Sequence, residues 1–228
     1  MTILELGNLL TEYGINHDSS SLSLLEKYMD YILEKNKDIN LTAIKDRDEF
    51  MMRMILDSAL PLRLTNFNDA KVLDIGTGAG YPGTVIATLT SAQVDMLDST
   101  NKKLNVINEF KDKEFHTIHA RAEEYIVSHR EEYDIVTARA VASLSILLEL
   151  AIPYLKVGGY FVALKGKEAE EEIKEAKNAF KKLNAEIVSF DKVTLPGGES
   201  RINILIKKKD TTNIKYPRQY NKIKRKPL

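Results

Sequence analysis

The stretch Val72-Leu73-Asp74-Ile75-Gly76-Thr77-Gly78-Ala79-Gly80-Tyr81-Pro82-Gly83 constrains the fold more than any other part of the chain. A short apolar run enters a turn with glycine at alternate positions. Pro82 then suits the first turn of a helix, where its missing N–H costs little. Glycine in such a turn accepts positive φ and lets a ligand approach the backbone with no Cβ in the way. Strand, glycine turn and helix in this order predict a βα unit with a small-molecule site at the carboxyl end of its strand. A dinucleotide fingerprint requires a third glycine at the sixth position, which is Tyr81 here, and the Gly-Lys-Ser/Thr ending of a phosphate-cradling loop is also missing. Asp74 beside the turn is awkward for a pyrophosphate and tolerable for a cationic cofactor. A tight turn with no ligand would have the same glycines.

From Lys71 onward, short apolar runs alternate with amphipathic stretches, the pattern of a largely parallel sheet in an α/β fold. Strands are predicted at Lys71 to Ile75, Gln93 to Leu97, His116 to His119, Asp134 to Ala138, Tyr160 to Leu164, Glu186 to Phe190 and Arg201 to Ile206. Gly158-Gly159 punctuates the entry to the fifth. One helix is predicted between the fifth and sixth, from the stripe Ala169, Ile173, Ala176, Phe180 and Leu183. The first 60 residues read as helices. Leu22, Leu25, Tyr28, Met29, Ile32 and Leu33 recur at helical spacing, Ser23 with Glu26 has the form of a capping box, and Asp46 with Glu49 forms another before Phe50. Residues 1–228 are therefore expected to form a single domain, with 1–60 as an N-terminal helical cap within it.

Composition excludes several chemistries. The chain has no cysteine, so it has no disulfide, thiolate ligand or cysteine nucleophile, and its four histidines form no HExxH array, so no metal is expected. No run of 18 apolar residues and no basic-then-apolar leader occurs, which points to the cytoplasm and away from a membrane. The formal net charge of zero conceals an asymmetry. Residues 207–228 carry nine basic side chains and one acidic, and the rest of the chain carries 24 basic against 32 acidic. A basic tail on an acidic body suits a polyanion such as a phosphate backbone, and equally suits a merely solubilising terminus.

Individual residues follow from the strand pattern. Asp98 ends the second strand 22 residues after Gly76, where a carboxylate accepts from the ribose hydroxyls of a nucleoside cofactor or else caps the next helix. Asp95 is its rival. Arg121-Ala122-Glu123-Glu124 opens a helix after the third strand; Ala122 is small enough to lie over a flat base, and Glu123 is either a ligand contact or favourable first-turn charge. Tyr81 either packs beside the cofactor or covers the core. Lys102 and Lys103 look solvent-facing, to meet RNA phosphate or nothing at all, and His116 and His119 look structural.

These residues together resemble the RsmG (GidB) family of methyltransferases that modify guanine N7 in small-subunit ribosomal RNA. The resemblance rests on NLTAI at Asn40 to Ile44, ILDS at Ile55 to Ser58, the glycine turn, DSTNKK at Asp98 to Lys103 and RAEE at Arg121 to Glu124. It continues through TARAVASL at Thr137 to Leu144, ALKG at Ala163 to Gly166, LPG at Leu195 to Gly197 with Arg201, and Pro217-Arg218 with the final KPL. It implies a Rossmann-like class I methyltransferase with a seven-stranded, mostly parallel sheet. S-adenosylmethionine is then the cofactor, and 16S ribosomal RNA or the small ribosomal subunit is the partner of a monomeric enzyme. By likeness, Gly76, Gly78, Gly80, Tyr81, Asp98, Ala122 and Glu123 form the cofactor cleft. Arg139 stands near the methyl group and target base as the catalytic candidate, with a buried arginine tying two strand ends together as its alternative. Lys165, Arg201 and Arg218 hold RNA. The chain departs from the family pattern at Met54, where histidine is common before ILDS, and at Tyr220 to Ile223, where YNKI replaces an AGTP-like stretch.

Overall fold

The computed structural model describes residues 1–139 and 142–228, so Ala140 and Val141 of the TARAVASL stretch lie outside the described residues. Seven strands form one sheet: β1 (Lys71–Ile75), β2 (Gln93–Asp98), β3 (His116–His119), β4 (Tyr133–Arg139), β5 (Leu155–Lys165), β6 (Ala185–Thr194) and β7 (Ser200–Lys208). Their order is β3-β2-β1-β4-β5-β7-β6, with β7 antiparallel to both neighbours and the other pairings parallel. Because β1 pairs with β2 on one side and β4 on the other, the chain reverses its winding at β1. A crevice opens there at the carboxyl ends of the strands. β5 begins at Leu155 rather than Tyr160, since Gly158-Gly159 makes an irregularity inside the strand instead of a turn before it. A Cβ at Gly159 would stand 2.8 Å from the Asp134 carbonyl oxygen, so only glycine lets the two strands approach here.

Alternation along the strands divides the interior into two layers. Val72, Val94, Met96, Ile135 and Val162 face one side, and Leu73, Leu97, Val136, Phe161 and Ala163 face the other. Helices α1 (Ile3–Glu12), α2 (Ser19–Lys35) and α3 (Arg47–Phe50) join the first layer. α3 continues into a π-helical turn at Met51–Leu56 and α4 (Asp57–Ala59). Asp46 caps α3 by accepting from the Glu49 N–H at 2.8 Å. The cap of α2 lies earlier than Ser23: Asp18 accepts from the Ser21 N–H at 2.7 Å, and Ser21 Oγ accepts from the Asp18 N–H at 3.0 Å. Leu22 is already buried and must be inside the helix, which leaves Glu26 free to pair with Arg47.

α5 (Gly83–Leu89) and α6 (Asn101–Asn108) cover the same face. α7 (Ala122–Tyr125), α8 (Leu144–Ala151), α9 (Ala169–Glu175) and α10 (Lys177–Lys182) cover the opposite one. The single helix expected between β5 and β6 is two, divided at the buried Ala176. α11 (Tyr220–Arg225) ends the chain, with Tyr216 and Ile223 buried in the second layer. The basic segment is thus neither detached nor bounded at 207. β7 runs to Lys208, whose ammonium is fully buried, donates to the Leu155 carbonyl at 2.8 Å and pairs with Glu131 at 2.9 Å. Among the described residues no helix is long and apolar enough to cross a membrane.

Candidate functional site

The crevice beside β1 holds a cavity of about 370 Å³. Gly76, Gly78, Asp98, Ala122, Glu123 and Arg139 all line it. At Gly78 φ is +61°, and a Cβ added there would meet only the Gly76 carbonyl oxygen, at 3.9 Å. Its side-chain position is therefore open space beside the cavity, so a larger residue would occupy volume a ligand could use. Gly80 serves a different purpose. Its Cβ would fall 2.5 Å from the Tyr28 hydroxyl and 2.7 Å from Thr84 Cγ2, so this glycine lets α2 close over the turn. Tyr81 is 2% exposed and packs between Tyr28 and Phe50, with ring centroids 5.8 and 5.6 Å away. Neither Gly80 nor Tyr81 is among the residues lining the cavity, because the chain turns after Ala79 toward the N-terminal helices.

Asp74 also has a structural task. It is fully buried, with Oδ2 accepting from the Gly83 N–H at 2.9 Å and Oδ1 from the Thr137 hydroxyl at 3.1 Å. These bonds clamp the start of α5 and β4 to β1. Burial nonetheless pushes its carboxyl up to about 6, and the hydrogen bonds from Gly83 and Thr137 oppose that rise. Asp98 is the acid that reaches the cavity. Its Oδ2 accepts from the Gly78 N–H at 2.9 Å and its Oδ1 from the Thr100 N–H at 2.8 Å. A carboxylate offers about four lone-pair sites, so both oxygens retain acceptor capacity. Asp95 is engaged elsewhere, by the His116 ring at 2.6 Å and the Tyr133 hydroxyl at 2.7 Å. Glu123 lies in the first turn of α7 and lines the cavity as well. Ala120 and Leu150 also line the cavity without being singled out in the sequence, and so do Lys103 and Tyr220, which have no cofactor role in the sequence analysis. Lys103 reads as solvent-facing in the sequence, and no local pattern brings Tyr220 of the tail to the crevice.

Arg139 ends β4 and borders a second cavity of about 370 Å³, shared with Arg53, Asp57, Lys165 and Arg201. Its guanidinium donates to the Arg53 carbonyl at 3.0 Å, to Ser58 Oγ at 3.3 Å and to Met54 Sδ at 3.2 Å. Met54 thus occupies the guanidinium's flank where an imidazole was the family expectation. Burial lowers the Arg139 pKa from its ordinary value, and the Asp57 carboxylate at 3.9 Å opposes that shift. Arg201 Nε pairs with the same Asp57 oxygen at 3.0 Å. Burial raises the Asp57 pKa, while Arg201 and Arg139 pull it back.

All three expected RNA contacts are engaged by carboxylates of the chain itself, Arg201 by Asp57. The Lys165 ammonium is 6% exposed and donates to Glu172 Oε2 and the Ala142 carbonyl, both at 2.6 Å. Arg218 contacts the fully buried Glu149 carboxylate through its backbone N–H at 2.9 Å, Nε at 2.8 Å and Nη2 at 2.6 Å. A buried carboxylate without a cation is costly, which is why Arg218 turns inward to Glu149. Arg201 remains at the second cavity.

A family model described as rRNA small subunit methyltransferase G matches residues 21–201. A protein of Streptococcus gordonii named ribosomal RNA small subunit methyltransferase G is 37% identical over 100% of both chains. One of the same name from a Thermoanaerobacter species is 38% identical over 95% of this chain and 94% of its own. Among solved structures, the Burkholderia thailandensis 1,6-didemethyltoxoflavin-N1-methyltransferase, with bound 1,6-didemethyltoxoflavin and S-adenosylhomocysteine, superposes with a TM-score of 0.55. It is 14% identical and covers 86% of this chain and 92% of its own, so it shares the fold.

Proposed function

The chain belongs to the rRNA small subunit methyltransferase G family, and from that premise we propose that it transfers the methyl group of S-adenosylmethionine to N7 of a guanine in 16S ribosomal RNA. The observation that carries this reading is the meeting of two cavities at Arg139. One is lined by the carboxylates Asp98 and Glu123 together with Lys103 and Arg121; the other by Arg53, Lys165 and Arg201 together with Asp57.

The first cavity fits the cofactor. Gly78 leaves space beside the backbone, Asp98 retains acceptor capacity suited to ribose hydroxyls, and Ala122 and Glu123 border the base end. When bound, S-adenosylmethionine supplies an electrophilic methyl group on a sulfonium. Guanine N7 carries a lone pair and no proton, so the chain has no proton to remove and its task is alignment and exclusion of water. Arg139 gains nothing by simple Coulomb logic from positive charge arriving on the base. Its role is to hold the base: a guanidinium has five N–H donors in a rigid fork suited to guanine O6 or a flanking phosphate. The segment before β1 acts as a cap, supplying Arg53, Met54 and Asp57 to the base cavity within a single domain.

The test is to incubate the protein with labelled S-adenosylmethionine and small ribosomal subunits, naked RNA or metabolite pools. Label on a single RNA guanine at N7 is expected, and label only in metabolites overturns the reading. In the same assay Arg139→Ala at saturating RNA is expected to lose roughly 10²-fold in single-turnover rate, as a base displaced by about 1 Å loses in-line geometry. An unchanged rate would assign Arg139 a purely structural role.

A further inference from the structure

The C-terminal segment supplies one wall of the cavity at β1. Tyr220, the first residue of α11, lines it beside Leu150 of α8, and is the one aromatic side chain among the described residues that do so. Its placement follows from a specific attachment. Arg218, two residues earlier, makes three contacts with Glu149, and Glu149 immediately precedes Leu150. Ile223, one turn later, is fully buried against the same layer. Arg130 also fastens the approach to α11, donating to the Tyr216 carbonyl at 2.7 Å and to the Thr212 carbonyl at 3.2 Å. The ring is thus fixed from both sides in a position it could not hold on a free tail.

The lining of the cavity is chemically mixed: Asp98, Glu123 and Arg139 are polar, whereas Leu97, Ala120, Ala122 and Leu150 give it apolar surface, to which the Tyr220 ring adds. A flat, uncharged heterocycle suits such a surface, and an aromatic ring adds stacking to the apolar contact. We propose that Tyr220 is a cofactor-binding residue that takes the adenosine half of the ligand, making the C-terminal segment a part of the cofactor site. This rests on the assignment of the cavity to S-adenosylmethionine. YNKI is where this chain departs from its family's pattern, so the contact belongs to this sequence's own residues.

Calorimetric titration of the full-length chain with S-adenosylhomocysteine and with 5′-methylthioadenosine, which lacks the amino-acid half, tests the proposal. Tyr220→Ala is expected to weaken both ligands by roughly five- to tenfold, the effect of losing one stacked aromatic contact. Tyr220→Phe is expected to stay within about twofold, since the ring is kept. Tyr220→Leu keeps apolar bulk against Ile223's layer while removing the ring, and is expected to follow alanine even if the alanine variant is unstable. Unchanged affinity in Tyr220→Leu, with wild-type protein binding both ligands, overturns the role of Tyr220 and leaves the cavity assignment standing. Absence of binding in the wild type overturns both.

Discussion

Asp98 and Asp74 are two acids on neighbouring strands whose surroundings give them opposite tasks. Asp98 faces the cavity and ties the glycine turn to α6 through Gly78 and Thr100. Replacing it with alanine is expected to weaken S-adenosylhomocysteine binding by roughly 1–3 kcal/mol, because ligand hydroxyls and the Gly78 N–H lose their acceptor together. Full affinity of a folded Asp98→Ala protein in calorimetry would remove the residue from the site. Asp74 is instead sealed beneath the turn, where burial raises its carboxyl from 3.8 to about 6. A carboxyl with a raised folded pKa holds its proton more tightly when folded, so its contribution is best below about pH 4 and is lost as pH rises toward about 6. Asp74→Asn removes that loss. The stability of the variant relative to wild type is therefore expected to climb between about pH 4 and 6, by about 3 kcal/mol at most, and to level off above. Denaturant unfolding of both proteins across that range checks this, and a constant difference would contradict it.

Among the elements, the pairing of Arg218 with Glu149 attaches α11 to α8, and its loss would expose how much the terminal helix depends on one contact. Arg218→Ala leaves a fully buried carboxylate without its cation and is expected to cost about 3–5 kcal/mol. Glu149→Met combined with Arg218→Ala removes both charges and is expected to recover much of that loss, giving a coupling energy in a double-mutant cycle. Additive effects would show that the pair contributes little beyond its parts. Sequence patterning found β1 and β3 to the residue because each is a short apolar or alternating run closed by a turn. It misplaced the start of β5, since Gly158-Gly159 has the composition of a turn while the chain uses it for a close strand approach. It also placed the α2 cap late, because Asp18 to Ser23 offers several capping side chains and only burial of Leu22 selects among them. In the site, Gly78, Asp98, Ala122 and Glu123 were legible because each ends or follows a strand at the crevice. Tyr81 and Gly80 were not distinguishable from them, as their neighbour Tyr28 comes from a helix about 50 residues earlier. Lys165 and Arg218 entered as RNA contacts from the family resemblance alone, and their pairing with Glu172 and Glu149 is a contact between elements that no periodicity shows.

Across the whole molecule, the charge asymmetry of the sequence survives folding in altered form. Of the nine basic residues from 207 onward, Lys208, Lys209 and Arg218 pair with Glu131, Glu186 and Glu149. Lys222, Lys224, Arg225 and Lys226 are exposed on or just after α11, whose first residue borders the cavity, and make no ion pair among the described residues. Four exposed cations of the segment are thereby grouped on and just after the helix whose first residue lines the cavity. Removing the whole segment would take Lys208 and Ile223 out of the interior and cannot isolate their effect. Replacing Lys222, Lys224, Arg225 and Lys226 with glutamine leaves Ile223 and the Arg218 attachment intact. If those four cations meet phosphates, the variant is expected to bind small-subunit RNA more weakly at low salt, and the slope of log affinity against log salt is expected to fall by about 3. Its affinity for S-adenosylhomocysteine is expected to stay unchanged, since none of the four lines the cavity. Filter binding over a salt series, beside calorimetry with the cofactor product, separates the two. A slope equal to that of wild type would place the RNA-binding charges elsewhere, with Arg53 and Arg201 at the base cavity as the next cations to test.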